Sequence, residues 1–178
     1  MLMYEKSSPV IIIKLLLLGP GECGKSTILK QIRLIHDQKF TELERRNRIS
    51  VVHANILDAM AAILYAMDKF QISLDKPILQ KEAKHVLDLA EKHIGTERLS
   101  DVSFRAISTL WTDAGVQLCY ARSSEYQLAD NAKYFFDSIG RIKSSDYVPS
   151  VQDILYVRVP TTGIAQVEFS VPGQVIFR

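Results

Sequence analysis

Cysteine is scarce here. Cys23 and Cys119 are the two that 178 residues hold, too few for a disulfide framework, and a reducing, cytosolic setting fits the chain. The four histidines, His36, His53, His85 and His93, show no metal-ligand spacing with those cysteines, so surface or helix-packing roles account for them. Charge of one sign is nearly absent. A formal net charge of +2 gives no ground for a nucleic-acid partner or an acidic membrane surface. No apolar run approaches the ~20 residues of a membrane-spanning helix, so no transmembrane segment is expected. The start, MLMYEKSSP, lacks the cationic beginning and apolar middle of a signal peptide. It has no glycine at position 2 and no early cysteine, so neither myristoylation nor palmitoylation is expected of it. No internal repeat or low-complexity tract is visible. What remains is ordinary globular composition, 47% hydrophobic and 24% charged, in a length that suits one domain or two small ones.

Residues 10–18 read VIIIKLLLL and end on Gly19-Pro20-Gly21. A continuous apolar, partly β-branched run of this kind predicts a buried strand of the parallel type. Residues 25–35 then read as a helix, with Ile28, Ile32 and Ile35 at helical spacing. From about Thr41 the pattern changes. Ile49, Val52, Ile56, Met60, Ile63, Met67 and Phe70 recur every three or four residues and predict one long amphipathic helix ending near Phe70. Pro77 suits the first turn of a second helix carrying Leu79, Ala83, Val86, Leu87 and Ala90, with Gly95 as its stop. Ser100 can cap a third, bearing Ile107, Leu110, Trp111 and Ala114, and Asp130 a fourth, bearing Ala132, Phe135, Phe136 and Ile139. Ser150 and Asp153 stand in capping-box positions for a short fifth. Trp111 and the Phe135-Phe136 pair read as core, and the basic cluster Arg45-Arg46-Asn47-Arg48 as a solvated helix face. Beyond Tyr156 the period changes to alternation: Val167, Phe169 and Val171, then Val175 and Phe177, around a Pro172-Gly173 turn. That reads as a hairpin. The organisation is strand–loop–helix, about a hundred helical residues, then strands. It predicts an α/β domain interrupted by a helical insertion, with fewer strands than the roughly five or six of a doubly wound sheet.

The glycine segment carries the chemistry. Gly19-Pro20-Gly21-Glu22-Cys23-Gly24-Lys25-Ser26 matches G-x-x-x-x-G-K-[ST] at every defined position, between a predicted strand and a predicted helix. Glycines let the backbone wrap phosphate oxygens so that successive N–H groups point inward. The helix that follows, opening on Lys25, Ser26 and Thr27, directs its N-terminal partial charge at the same oxygens. Lys25 supplies a full charge for the β and γ phosphates, and the Ser26 hydroxyl is placed to ligate Mg²⁺. The motif implies a purine nucleoside phosphate held with Mg²⁺. Alone, it does not separate a kinase from a nucleotide switch.

Further segments do. Residues 14–31, KLLLLGPGECGKSTILKQ, closely resemble the first strand and phosphate loop of heterotrimeric G-protein α subunits. Residues 153–164, DILYVRVPTTGI, resemble the end of that family's helical insertion and its first switch. Residues 125–142, EYQLADNAKYFFDSIGRI, resemble its interdomain nucleotide edge and a later insertion helix. The wording VRVPTTGI and the final VIFR look most like the q-type class. The resemblance covers nearly everything from Lys14 onward and implies a Ras-like α/β domain over 10–40 and 154–178, with an inserted all-helical domain over 41–153. It implies GTP and GDP as ligands with Mg²⁺ as cofactor, GTPase activity, and transduction from G-protein-coupled receptors. Its partners would be βγ subunits, receptors and effectors, and its place the inner face of the plasma membrane. By the resemblance, Arg158 is the arginine that stabilises transition-state charge in cis. Thr161 completes the Mg²⁺ site with Ser26 and senses the γ-phosphate. The phosphate loop contacts nucleotide through Gly21, Glu22, Cys23, Gly24, Lys25, Ser26 and Thr27. Leu155, Tyr156 and Val157 line the ribose side, Arg158, Val159, Pro160 and Thr161 also contact nucleotide, and Asp130 and Asn131 form the helical-domain edge of the cleft.

Several features depart from the family pattern. Cys23 stands where Ser is usual, and Asn131 where Ser is more common. About a dozen residues precede the first strand, so the family's lipid-bearing N-terminal helix is not expected among them. No D-x-x-G-Q, N-K-x-D or T-C-A segment follows Thr161 within the 178 residues. The expectation is an α subunit cut before the second switch, with very low hydrolysis and weak guanine selectivity. A non-catalytic interaction fragment is one alternative. A P-loop kinase of a small acceptor is another, although the several arginines of a kinase lid and a later strand ending in Asp are missing.

Overall fold

Apolar runs set the two halves of this molecule apart: one opens on a short isoleucine strand, the other is built on a helix apolar on nearly every side. The computed structural model describes residues 11–21, 23–36, 39–92, 98–159, 168–171 and 175–177. The chain divides into two compact units, Met1–Phe40 with Pro160–Arg178, and Thr41–Val159.

In the first unit, β1 (Ile11–Ile13) runs parallel to β3 (Val175–Phe177), with Ile11 opposite Val175 and Ile13 opposite Phe177. β3 pairs antiparallel with β2 (Phe169–Val171), so the sheet order is β1-β3-β2. The alternation after residue 167 therefore does make an antiparallel pair; its Pro172-Gly173 turn lies outside the described residues. The expected buried strand over 10–18 needs correction. Only Ile11–Ile13 is strand, and the run beyond it is exposed, Leu16 at 78% and Leu18 at 80%. Strand formation requires a partner as well as a propensity, and β3 lies opposite Ile11 to Ile13 alone. α1 (Lys25–Ile35) has the bounds that its isoleucine spacing predicts, yet buries none of its residues. The His36 ring stacks on Phe169, centroids 4.3 Å apart.

The second unit is helical. α2 (Glu42–Arg46) opens on a capping box between Thr41 and Glu44. α3 (Ile49–Lys69) follows, 21 residues long. It packs against α4 (Gln80–Lys92), α6 (Ala114–Ala121) and α7 (Ala132–Asp137). The stretch Glu42–Lys69, which holds α2 and α3, is long and apolar enough to cross a membrane by length and composition, but 67% of its apolar window is buried, as befits a central core helix. Around it lie α5 (Asp101–Trp111), α8 (Ile139–Ile142) and α9 (Val151–Tyr156). Val52, Ile56, Leu57, Met60 and Ile63 of α3 meet Val86, Ile107, Leu110, Phe135, Phe136 and Ile142 in one core. Trp111 is half-buried at its edge, its ring 4.6 Å from that of Phe136.

Two helix starts differ from expectation. Ala114 does not continue the helix begun at Ser100. The Asp113 carboxylate accepts from Gly115 N–H at 2.9 Å and caps a new helix, and a side chain so used ends the old one. Asp130 does not cap α7 either: Asn131 holds that position, in helical conformation and with no side-chain cap, because its amide is engaged elsewhere. The Ser150–Asp153 capping box forms as expected. Pro77 opens a 3-10 turn (Pro77–Leu79) that leads into α4, while Gly95 lies outside the described residues.

Candidate functional site

Glycines shape the loop of the first unit. Gly19 adopts φ +153°, where a Cβ would come 2.7 Å from Cys23 Sγ. Gly24 adopts φ +86° immediately before α1, a left-handed conformation that glycine takes without strain. No heavy atom lies within 4 Å of where a Cβ would stand on Gly21 or Gly24, so there is open space beside both. Among the described residues α1 has no side-chain N-cap and no acidic residue in its first turn, which leaves its N-terminal dipole without an internal carboxylate. The Lys25 ammonium folds back over the loop, donating to the carbonyls of Gly19 at 2.8 Å and Pro20 at 2.5 Å, with Cys23 Sγ at 3.4 Å. Ser26 and Thr27 sit in the first turn of α1. Glu22 lies outside the described residues. Among the described residues no three His, Cys, Asp or Glu side chains form a metal cluster. An oxygen-seeking divalent cation would therefore rely on hydroxyls and phosphate oxygens, with Ser26 as the described donor.

Arg158 belongs to the second unit, where α9 delivers it. Asp153, fully buried, is the anchor. It accepts a bidentate pair of hydrogen bonds from Arg141, both 2.8 Å, and others from Tyr134 Oη at 2.7 Å, Tyr147 Oη at 3.0 Å and Ser150 N–H at 2.7 Å. Burial alone would raise its pKa. The Arg141 guanidinium, the two phenols and the Ser150 amide outweigh that and hold the carboxyl well below the usual range. Val157 N–H closes the helix onto the Asp153 carbonyl at 2.7 Å. Leu155 is half-buried, Val157 buried, and Tyr156, Arg158 and Val159 exposed. Tyr156 stacks on Tyr134, rings 4.3 Å apart.

Arg158 is gripped by its backbone. Asn55, from α3, accepts from Arg158 N–H at 2.7 Å and donates to the Arg158 carbonyl at 2.9 Å. Asn131 donates through Nδ2 to Asn55 Oδ1 at 3.0 Å and to the Tyr156 carbonyl at 2.8 Å. Asp130, beside it, is exposed and lines a shallow hollow of about 340 Å³ with Tyr120, Ser123, Ser124 and Leu128. Within their units, then, Lys25 meets Gly19 and Cys23, and Asn131 meets the Arg158 segment. Pro160 and Thr161 lie outside the described residues. Asn55 escaped sequence reading; its one signal was an amide inside an apolar helix, where asparagine is a poor helix former.

A strand, a glycine loop with complete G-x-x-x-x-G-K-S spacing and a helix, in that order, define a P-loop protein. Comparison narrows the class. The family profile described as G-protein alpha subunit matches residues 3–178. The guanine nucleotide-binding protein G(o) subunit alpha of Locusta migratoria is 47% identical over 158 residues, covering 89% of this chain and 45% of the locust protein. That of Lymnaea stagnalis is 46% identical over the same length and with the same coverage. The alpha-3 subunit of Caenorhabditis elegans is 44% identical over 172 residues, 94% of this chain and 48% of the nematode protein. The chain belongs to the G-protein alpha subunit family, and it spans a little under half the length of these relatives.

Proposed function

We propose that this chain is the phosphate-binding portion of a guanine-nucleotide switch that relays signals from G-protein-coupled receptors. On this reading residues 10–40 and 154–178 belong to a Ras-like domain and 41–153 to its helical insertion. The observation that carries the proposal is the loop itself. There is open space beside Gly21 and Gly24, the loop runs directly into the N-terminus of α1, which has no side-chain cap, and a lysine ammonium donates to the loop's carbonyls. Phosphate oxygens would draw Lys25 off Gly19 and Pro20 and take up the amides of Glu22, Cys23 and Gly24. Mg²⁺ would be held by Ser26 and Thr161 and would neutralise charge between the phosphates. Arg158 would stabilise the charge that develops during phosphoryl transfer. Asp130, Asn131 and the segment from Leu155 to Pro160 would border the nucleotide. The q-type likeness rests on VRVPTTGI and VIFR, whereas the whole-chain relatives reported above carry G(o) and alpha-3 names. Membership of the family leaves the kinase alternative without support. βγ subunits, receptors and effectors at the inner face of the plasma membrane are the proposed setting.

The test is equilibrium nucleotide titration of the chain continued through the C-terminal half that its relatives carry. Lys25→Ala is expected to abolish GTP binding, and Ser26→Ala to weaken it only when Mg²⁺ is present. Unchanged affinity in both variants would refute the assignment. Single-turnover hydrolysis separates charge stabilisation from positioning of water. The 178 residues alone are expected to be far slower than the continued chain, because no D-x-x-G-Q follows Thr161 and Gln166 and Gln174 lack its glycines. Equal rates would contradict this.

A further inference from the structure

Arg158 lies two residues beyond the end of α9, on backbone that has left the helix. A guanidinium that must meet developing charge needs a fixed root, since its own side chain has several rotatable bonds. Asn55 supplies that root. Its amide engages both the N–H and the carbonyl of the same residue, at 2.7 and 2.9 Å, as a neighbouring strand would. The arrangement reaches across 103 positions of sequence, from the second turn of the central helix α3 to the exposed Arg158. Asn131, 6% exposed, extends it by tying Asn55 Oδ1 to the Tyr156 carbonyl. Neither amide can turn over. A flipped Asn55 would set donor against Arg158 N–H and oxygen against its carbonyl, and a flipped Asn131 would set oxygen against two acceptors. Asn131 Oδ1 is buried without a hydrogen-bond partner among the described residues, a cost accepted for keeping both Nδ2 bonds.

We infer that Asn55 and Asn131 are positioning residues for Arg158: a two-amide clamp, built on the core of the helical unit, that fixes the backbone from which the arginine reaches its substrate. This rests on the reading of Arg158 as the charge-stabilising arginine. The clamp makes the helical unit a contributor to hydrolysis through geometry.

The test uses the chain continued through the C-terminal half of its relatives, with single-turnover hydrolysis of bound GTP, nucleotide affinity and thermal melting measured together. Asn55→Ala is expected to slow hydrolysis by about tenfold or more, in keeping with what small misplacements cost, while GTP affinity stays within about twofold. In an Arg158→Ala background the same substitution is expected to add nothing. Amide hydrogen exchange at Arg158, slow in the parent, is expected to quicken in Asn55→Ala. Should that variant melt early, Asn131→Ala, which leaves both Asn55–Arg158 bonds in place, is read by single-turnover hydrolysis of pre-bound GTP and by exchange at Arg158 alone, with a smaller expected loss, since Asn131 is itself placed beside the nucleotide. If Arg158→Ala itself leaves hydrolysis unchanged, the reading of Arg158 fails and the clamp with it. If Arg158→Ala slows hydrolysis but Asn55→Ala is neutral, or subtracts equally in both backgrounds, the clamp is overturned and the reading of Arg158 stands.

Discussion

Asp153 shows how much one side chain can carry. It is the N3 partner of Ser150 in the capping box of a six-residue helix, a length that cannot hold itself in water. It is also the buried half of an ion pair whose other half, Arg141, keeps 47% of its side chain exposed. The pair is therefore cheap on one side and fully desolvated on the other, where two phenols and a backbone amide complete the acceptor's shell. Asp153→Asn preserves shape but halves the acceptor capacity and removes the charge. We expect a loss of about 2–4 kcal/mol at pH 7, read from urea midpoints. The pH dependence has a definite sign. Because the folded pKa is depressed, Asp153 stabilises the fold fully above its unfolded value of about 3.9, and that contribution drains away as pH falls below it toward the folded value. The parent is therefore expected to lose more stability than Asp153→Asn between about pH 5 and pH 2. Parallel acid limbs in the two proteins would contradict this account.

Elements are held by close approaches that composition does not announce. α6 begins where Asp113, itself fully buried, accepts from the N–H groups of Asp75 at 3.1 Å, Lys76 at 3.0 Å and Gly115 at 2.9 Å. Burial pushes its pKa up, but these backbone donors outweigh it and hold the carboxyl below the usual value. The helix start is thereby pinned to the loop after α3 so tightly that a Cβ on Gly115 would lie 2.2 Å from the Ser73 carbonyl oxygen. Gly115→Ala is expected to destabilise the protein by roughly 1–3 kcal/mol, although alanine is the better helix former. A neutral or stabilising result in thermal melting would show that the contact relaxes freely. The same junction explains what sequence could and could not tell. α1 and α3 were legible because their isoleucines keep a helical period to the ends. The α5–α6 break was not, because apolar spacing runs on through Ala114 while a single carboxylate decides the matter. α2 was missed for the opposite reason. Five residues carry no period, and only the T-x-x-E of its capping box marked it. In the candidate site the phosphate loop was legible letter by letter, since its chemistry is local. Asn55 was not, because its partner lies 103 residues away.

At the scale of the molecule, burial is distributed unequally. Every buried hydrophobic side chain among the described residues falls between Ile49 and Val157. The helical unit therefore has a core of its own, with Phe135 and Phe136 at 1% exposure and Ile56, Leu57 and Ile63 at none. The described part of the first unit pairs three short strands and one helix, and exposes Leu15 to Leu18 and Ile35. Among the described side chains, stability drawn from apolar burial, roughly 25 cal/mol per Å², resides in Thr41–Val159. That unit also keeps its internal anchors within itself: the Thr41 and Ser150 capping boxes, the Asp153 hub, the Asp113 junction and the amide clamp. Expressed alone, residues 41–159 are expected to give a strongly helical circular dichroism spectrum. They should unfold cooperatively, with a midpoint within a few degrees of that of the 178-residue chain, because the buried hydrophobic side chains among the described residues all lie within them. Hydrogen exchange on the whole chain should show the same division, with slow amides in α3, α5 and α7 and fast ones through β1 and α1. A random-coil spectrum from residues 41–159, or a midpoint tens of degrees below that of the whole chain, would mean that the helical unit draws its stability from the strands rather than from its own core.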